Sequence, residues 1–292
     1  MIQLKGVSKK LGDFRLDNIN MELPEGYIMG LIGPNGSGKT TLLNLILGLY
    51  KPDSGEVLVF GRGYEGEERA IHEDMGFVLQ EKLFEGYLTL QENGNHYGNY
   101  YKHYQPERFI ELLQSFGLEP KKKYKELSKG EELKFQFAFA ISHDPKLLIL
   151  DEATGNFDAD FRDKFLMILK DFIADGKHGV ILATHLTDDL DRIADYITYL
   201  EKGKELFSAD IESLHDKYRL VSGEAYKLRL LPKEDVIYME ENEYTSRALI
   251  RYYPKYPYDK ALTLTIPTIE ELMYFMTKRD KGGKKHAKKS AV

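Results

Sequence analysis

Apolar and polar residues alternate along the start of the chain, most clearly at Ile19, Met21 and Leu23, and the same pattern runs through Ile2 to Val7 and Phe14 to Leu23. A period of two is what half-buried antiparallel strands require, so the chain opens with a small β layer. Tyr27 to Ile32 is an apolar, strand-like stretch, and Thr41 to Leu49 carries helical spacing. Lys51-Pro52-Asp53-Ser54-Gly55 reads as a turn, followed by strands at Glu56 to Phe60 and Met75 to Gln80. From about Leu90 to His143 the β signal nearly vanishes, and Pro106 to Phe116 sets Phe109, Leu112, Leu113 and Phe116 on one helical side. That segment reads as a helical insertion.

Beyond it, Lys146 to Leu150 is an unbroken apolar run suited to a strand covered on both faces. A helix from Asp160 to Ala174, a buried strand at Val180 to Ala183 and a strand at Tyr196 to Leu200 complete a rhythm that implies a parallel sheet. After about Lys217 the texture changes to short strands rich in Tyr and charge (Tyr226 to Leu231, Val236 to Met239, Ala261 to Ile266), then a helix from Ile269 to Thr277. The expected organisation is an α/β body over 1–217, its helical part at about 82–145, an α+β extension over 218–280, and a basic flexible tail over 281–292.

The 292 residues, 42% hydrophobic and 30% charged, suffice for one substantial core and an appendage. No apolar run approaches the roughly 18 residues needed to span a bilayer, and Met1-Ile2-Gln3-Leu4-Lys5 lacks a signal-peptide pattern, so a cytosolic location is expected. Zero cysteines exclude disulfides and thiolate metal sites. A net charge of −6 argues against a general nucleic-acid binder. The one basic block, with Lys281, Lys284, Lys285, Lys288 and Lys289, reads either as a solvated end or as a contact for anionic lipid.

Three motifs carry chemistry. Gly33-Pro34-Asn35-Gly36-Ser37-Gly38-Lys39-Thr40 fits G-x-x-x-x-G-K-[ST] between a strand and a helix. Its glycines let backbone N–H groups turn inward as an anion nest, where Lys39 would reach the β- and γ-phosphates, Thr40 would ligate Mg²⁺ and Thr41 would add a phosphate contact. Second, Asp151-Glu152 ends the apolar strand, where Asp151 would hold Mg²⁺ and Glu152 would polarise an attacking water. Third, Glu126-Leu127-Ser128-Lys129-Gly130-Glu131 opens a helix through about Ile141, making Ser128 the head of a second anion-binding helix start.

With Gln80 closing one strand and His185 following Ala183-Thr184, the ordered set over residues 1–217 resembles the nucleotide-binding subunit of ATP-binding-cassette (ABC) transporters. The resemblance implies a P-loop ABC ATPase fold with a mixed sheet core, an antiparallel β subdomain and a helical insertion. It also implies that two cassettes pair head to tail. Asn35, Gly36, Ser37, Gly38, Lys39, Thr40, Thr41, Gln80, Asp151, Glu152 and His185 of one would then act on an ATP covered by Ser128 and Gly130 of the other. Gln80 would sense Mg²⁺, His185 would contact the γ-phosphate, and Asp158 matches the loop linking the two sites. The partners implied are a second ATPase subunit and an integral membrane permease, which places the protein at the cytoplasmic side of the membrane.

The sequence departs from the family pattern where Lys129 and Glu131 replace the usual Gly and Gln, Ala153 replaces a Pro, and Leu11 stands where an aromatic stacks on adenine. Phe14 is expected to substitute for that aromatic, and the carboxylate of Glu131 should weaken the cross-chain contact unless Lys129 compensates. Leu83, Phe84 and Tyr87 are expected to carry coupling to the permease; Tyr97, Tyr100, Tyr101 and Tyr104 form either a docking face or an internal packing stripe. Local sequence around Phe14 to Ile19 and Gly26 to Gly33, with the Leu-Ser-Lys-Gly signature and the extension, is similar to Gram-positive ABC-2-type exporters of antimicrobial or toxic peptides. Two rivals remain: a cassette that binds ATP but hydrolyses it weakly beside a more active partner, and a soluble, non-transport ABC ATPase.

Overall fold

Alternation along Phe14 to Leu23 becomes a single strand whose Leu16, Ile19, Met21 and Leu23 are buried and whose Arg15 and Asn18 face solvent. The computed structural model describes residues 1–242 and 244–287. Its strands are β1 (Ile2–Leu11), β2 (Phe14–Leu23), β3 (Ile28–Ile32), β4 (Ser54–Val59), β5 (Met75–Val78), β6 (Leu147–Asp151), β7 (Gly179–Ala183), β8 (Tyr196–Glu201) and β9 (Lys204–Asp210), in the sheet order β4-β1-β2-β9-β8-β3-β7-β6-β5. A second sheet, β11-β12-β10-β13, is built from β10 (Tyr218–Gly223), β11 (Val236–Glu240), β12 (Ser246–Arg251) and β13 (Thr263–Thr265). The chain divides into two compact units, one comprising Met1–Asp189 with Ile193–Ser208 and the other Leu190–Arg192 with the chain from Ala209.

In the first unit, β1 pairs antiparallel with both β2 and β4, the expected β layer. The strands β5, β6, β7, β3 and β8 run parallel. Every residue of β3, β6 and β7 is buried, as a parallel sheet covered on both faces demands. Each Leu or Ile so placed contributes about 1.5–3 kcal/mol over leaving it in water, and these central strands therefore make a rigid base for whatever sits at their carboxyl ends. Lys202 and Gly203 join β8 to β9 with positive φ of 51° and 76°, the primed hairpin geometry.

The unit's helices are α1 (Lys39–Ile46), α2 (Glu68–Glu73), α3 (Leu90–Gly98), α4 (Pro106–Ser115), α5 (Lys129–Ser142) and α6 (Ala159–Ile173), and α7 (Thr187–Ile193) begins in it. The helical insertion is held by rings: Phe84 meets Tyr97, Phe135 and Phe139 with centroids 5.1, 4.8 and 5.3 Å away, all near-perpendicular. Edge-to-face pairs of this kind add about 0.5–1.5 kcal/mol each beyond area burial. Thr89 caps α3 in a capping box with Glu92.

The second unit holds α8 (Ile211–Lys217), α9 (Ala225–Leu228) and α10 (Ile269–Ala287) around its antiparallel sheet, with Val221, Leu228, Leu231, Ala248, Ile250 and Leu262 in its core. The expected strand at Tyr226 to Leu231 is instead the short helix α9 and its exit turn. A strand would have put Tyr226, Leu228 and Leu230 on one face, yet Leu228 is 1% exposed while Tyr226 and Leu230 are 59% and 76% exposed. Leu228 and Leu231, three apart, are the pair that is buried. The last helix runs past the expected Thr277 to Ala287, and the basic residues Lys288 and Lys289 lie outside the described residues.

Candidate nucleotide site

The loop after β3 turns into α1 through Gly38, whose φ of 112° is open to glycine and which has Phe14 and Leu16 against it, so that a Cβ there would lie 2.9 Å from both side chains. This turn aims the first N–H groups of α1 into a cavity of about 630 Å³. Asn35, Gly36, Ser37, Gly38, Lys39, Thr40, Thr41, Phe14, Gln80, Asp151, Glu152 and His185 all line it, together with Leu43, Asn44, Leu79 and Glu81. Phe14 thus supplies an aromatic wall, whereas Leu11 is not among the lining residues.

Lys39 is 7% exposed, and its ammonium donates to the Gly33 carbonyl at 2.8 Å and stands 3.7 Å from a Glu152 carboxylate oxygen. The Ser37 hydroxyl is buried at 2% exposure with no hydrogen-bond partner among the described residues. A buried unpaired hydroxyl costs about 1–3 kcal/mol, and this one sits in the wall of a cavity built for an acceptor-rich anion. Thr40 donates to Asp151 Oδ2 at 3.3 Å. Burial, then the neighbouring charge of Glu152, raises the Asp151 carboxyl above its ordinary value. Thr40, Gln80 and Asp151 are hard oxygen donors, which suits a small divalent cation that completes its shell with water and substrate phosphates.

Glu152 leaves β6 at a φ of 51°, a left-handed conformation that costs a non-glycine residue of order 1–3 kcal/mol. Its backbone N–H is anchored on the Ala183 carbonyl at 2.8 Å, and its other carboxylate oxygen lies 2.6 Å from His185 Nδ1. The strained backbone and this hydrogen bond together hold the carboxylate between an imidazole and an ammonium, at the carboxyl end of the sheet.

Ser128 and Gly130 are elsewhere: neither lines this cavity. Ser128 is exposed and caps α5 in a capping box with Glu131, which accepts from the Ser128 N–H at 2.8 Å. Gly130 is demanded by the loop after β6, since a Cβ there would meet the Asn156 carbonyl oxygen at 2.6 Å.

Residues 16–155 match the ABC transporter family. Over 211 residues the chain is 37% identical to an uncharacterized ABC transporter ATP-binding protein, YdbJ, of Bacillus subtilis, covering 70% of this chain and 67% of that one. Over 213 residues it is 33% identical to the Nod factor export ATP-binding protein I of Rhizobium leguminosarum bv. viciae, covering 70% and 68%. The chain is an ABC transporter ATP-binding subunit. Its fold is that of the ABC ATPase cassette: the dimeric MJ0796 cassette, solved in a post-hydrolysis state with ADP and Pi, superposes with a TM-score of 0.64 at 28% identity, over 72% of this chain and 98% of that one. The family's activity, ATP hydrolysis in the service of transport, is this subunit's activity.

In this cassette Glu131 is paired by an unforeseen residue. Lys129 does not pair with Glu131; it donates to the Gln80 carbonyl at 2.7 Å and lies 3.7 Å from Glu132. Lys122 instead donates to Glu131 at 2.8 Å, and this bond, with that from the Ser128 N–H, draws the Glu131 carboxyl down to about 2. Nothing in the run Lys121-Lys122-Lys123 singles out its middle member. Gln136 was also missed: it accepts from the Leu79 N–H at 2.9 Å and donates to the Glu81 carbonyl at 3.3 Å, bracketing Gln80. A polar residue inside Phe135-Gln136-Phe137 was the available signal. Asp158 caps α6 and accepts from Lys134 of α5 at 2.9 Å.

Tyr101 stacks on His143 with centroids 3.9 Å apart and Tyr104 packs against Phe109 and Phe139, so both are partly buried against neighbouring rings. Tyr97, Tyr100 and Tyr101 line an apolar groove of about 280 Å³ with Leu83 and Phe84. The four tyrosines do not share one helix, because α3 ends at Gly98. Among the described residues no helix is long and apolar enough to cross a membrane.

Proposed function

We propose that this subunit pairs head to tail with a second ATPase subunit on two ATP·Mg²⁺ and drives a separate membrane permease that exports a peptide or drug-like molecule. The observation that carries this reading is the separation of the two anion sites. Lys39, Asp151, Glu152 and His185 gather in one cavity, while the Ser128-led helix start stands exposed outside it. A partner's copy of that helix start is needed to cover the triphosphate. The dimeric MJ0796 cassette and the Nod factor export relative support the pairing and the direction of transport.

In the proposed cycle the loop N–H groups and Lys39 bind the β- and γ-phosphates, and Phe14 stacks on the base. Mg²⁺, held by Thr40, Gln80 and Asp151, would neutralise charge on the β- and γ-oxygens. Glu152 accepts the proton of a water as its oxygen bonds to the γ-phosphorus and the bond to the ADP oxygen breaks; His185, through Nδ1, keeps that carboxylate aimed. ADP and phosphate leave. The groove beside Leu83 and Phe84 receives a short helix of the permease, which places the subunit on the cytoplasmic face of the membrane as a peripheral component.

Glu152→Gln tests the proposal. The variant should retain ATP, elute as a dimer only with ATP and Mg²⁺, and hydrolyse about 10²–10⁴ times more slowly. A monomer under those conditions, or an unchanged rate, overturns the reading. Detergent extraction should recover the subunit with an integral membrane protein rather than with RNA.

A further inference from the structure

Resting on that reading, we infer that Lys122 is a positioning residue of the cross-chain ATP site, keeping Glu131 neutralised and bent back on Ser128 so that the helix start of α5 can approach a triphosphate. A carboxylate in the first turn of α5 favours the helix by its charge but opposes an anion arriving at the same N–H groups. Here both oxygens are committed inward. One accepts from the Lys122 ammonium at 2.8 Å, the other from the Ser128 N–H at 2.8 Å, and the Ser128 hydroxyl accepts in return from the Glu131 N–H at 3.3 Å. Side-chain exposures of 30% for Lys122 and 32% for Glu131 leave the pair half-buried, at the rim that a partner would cover. Three other cations around α5 have different partners. Lys129 serves the Gln80 carbonyl and Glu132, Lys82 stands 3.7 Å from Glu132, and Lys134 serves Asp158. Lys122, 2.8 Å from Glu131, is the cation paired with it.

Without Lys122 a full negative charge remains beside the approaching phosphates. At an effective dielectric typical of a surface pair, one such charge several ångströms away weakens binding by about tenfold. The lesion should fall on affinity, because Glu152, His185 and Asp151 are untouched.

The experiment compares four full-length proteins: the parent chain, Lys122→Met, Glu131→Gln and the double variant. Each is measured for the ATP dependence of hydrolysis at low and high salt, and for thermal midpoint. Lys122→Met should raise the apparent KM for ATP about tenfold with kcat within about twofold, and salt should shrink the difference. Glu131→Gln should resemble the parent, and the double variant should recover its KM. A purely structural Lys122 would lower the midpoint and kcat with no rescue by Glu131→Gln, and that result, like an unchanged KM, overturns the inference. ATP-driven dimerisation in a Glu152→Gln background separates the two levels. A dimer whose ATP requirement ignores Lys122→Met leaves the sandwich standing and removes Lys122 from it, whereas no dimer at all removes both.

Discussion

The ammonium of Lys129, in the first turn of α5, donates to the backbone carbonyl of Gln80 at 2.7 Å, tying the helix headed by Ser128 to a segment lining the nucleotide cavity. Where the family has glycine, this chain has a strut. Together with Gln136, which holds Leu79 and Glu81, it fixes both flanks of Gln80 to α5.

Lys129→Ala removes one charge-assisted hydrogen bond from an exposed side chain, a loss of about 1 kcal/mol. Amide exchange across residues 79–83 should accelerate severalfold while the thermal midpoint stays within about 2 °C. Unaltered protection there would show that Lys129 does not restrain the segment.

Ser37→Ala trades stability against affinity. Deleting a buried hydroxyl that has no partner among the described residues should stabilise the nucleotide-free chain by about 1 kcal/mol, read as a higher thermal midpoint. The same change should weaken ATP binding several-fold in a titration, because the phosphate oxygens lose a hydroxyl donor. A lower midpoint without ATP would mean that the hydroxyl is already satisfied.

His143 sets a pH dependence. It is 2% exposed, and desolvation, outweighing its contacts with the Met75 and Phe139 carbonyls, lowers its pKa. The unfolded chain then takes up a proton near the usual histidine value of about 6.5 while the folded chain does not, so stability falls as pH drops below that value and is level above it. The slope is at most about 1.4 kcal/mol per pH unit. His143→Gln should flatten the thermal midpoint between pH 7 and 5.5; an equally steep decline would assign the acid sensitivity to other groups.

Phe84 and Tyr87 should separate folding from coupling. Phe84 is packed among Tyr97, Tyr124, Phe135 and Phe139, so Phe84→Ala should cost about 2–4 kcal/mol and lower the thermal midpoint. Tyr87 is 78% exposed, with Lys125 over its ring at 4.5 Å. Tyr87→Ala should leave midpoint and basal hydrolysis near the parent while transport per ATP falls. Equal transport would exclude Tyr87 from the docking surface.

Sequence legibility followed contiguity. Gly33 to Thr40 and Asp151-Glu152 announce themselves because their residues are contiguous in sequence, and the β6 run before Asp151 places it at the sheet's carboxyl end. Lys122, Gln136 and Lys134 act across loops or between helices, where only the folded chain brings partners together. At Tyr226 to Leu231 the apolar residues fit spacings of both two and three, and burial of Leu228 with Leu231 decided for the helical turn. The strand β12 was missed because Ser246-Arg247 and Arg251 interrupt its apolar centre.

The exposed position of Ser128, away from its own chain's cavity, has a genetic corollary under the head-to-tail arrangement. A copy disabled at Lys39 still lends a sound lid, and a copy disabled at Ser128 still offers a sound nest. Co-expressed, the two defective alleles should reconstitute one working chamber per mixed dimer and restore part of the lost turnover, whereas either allele alone, however abundant, restores none.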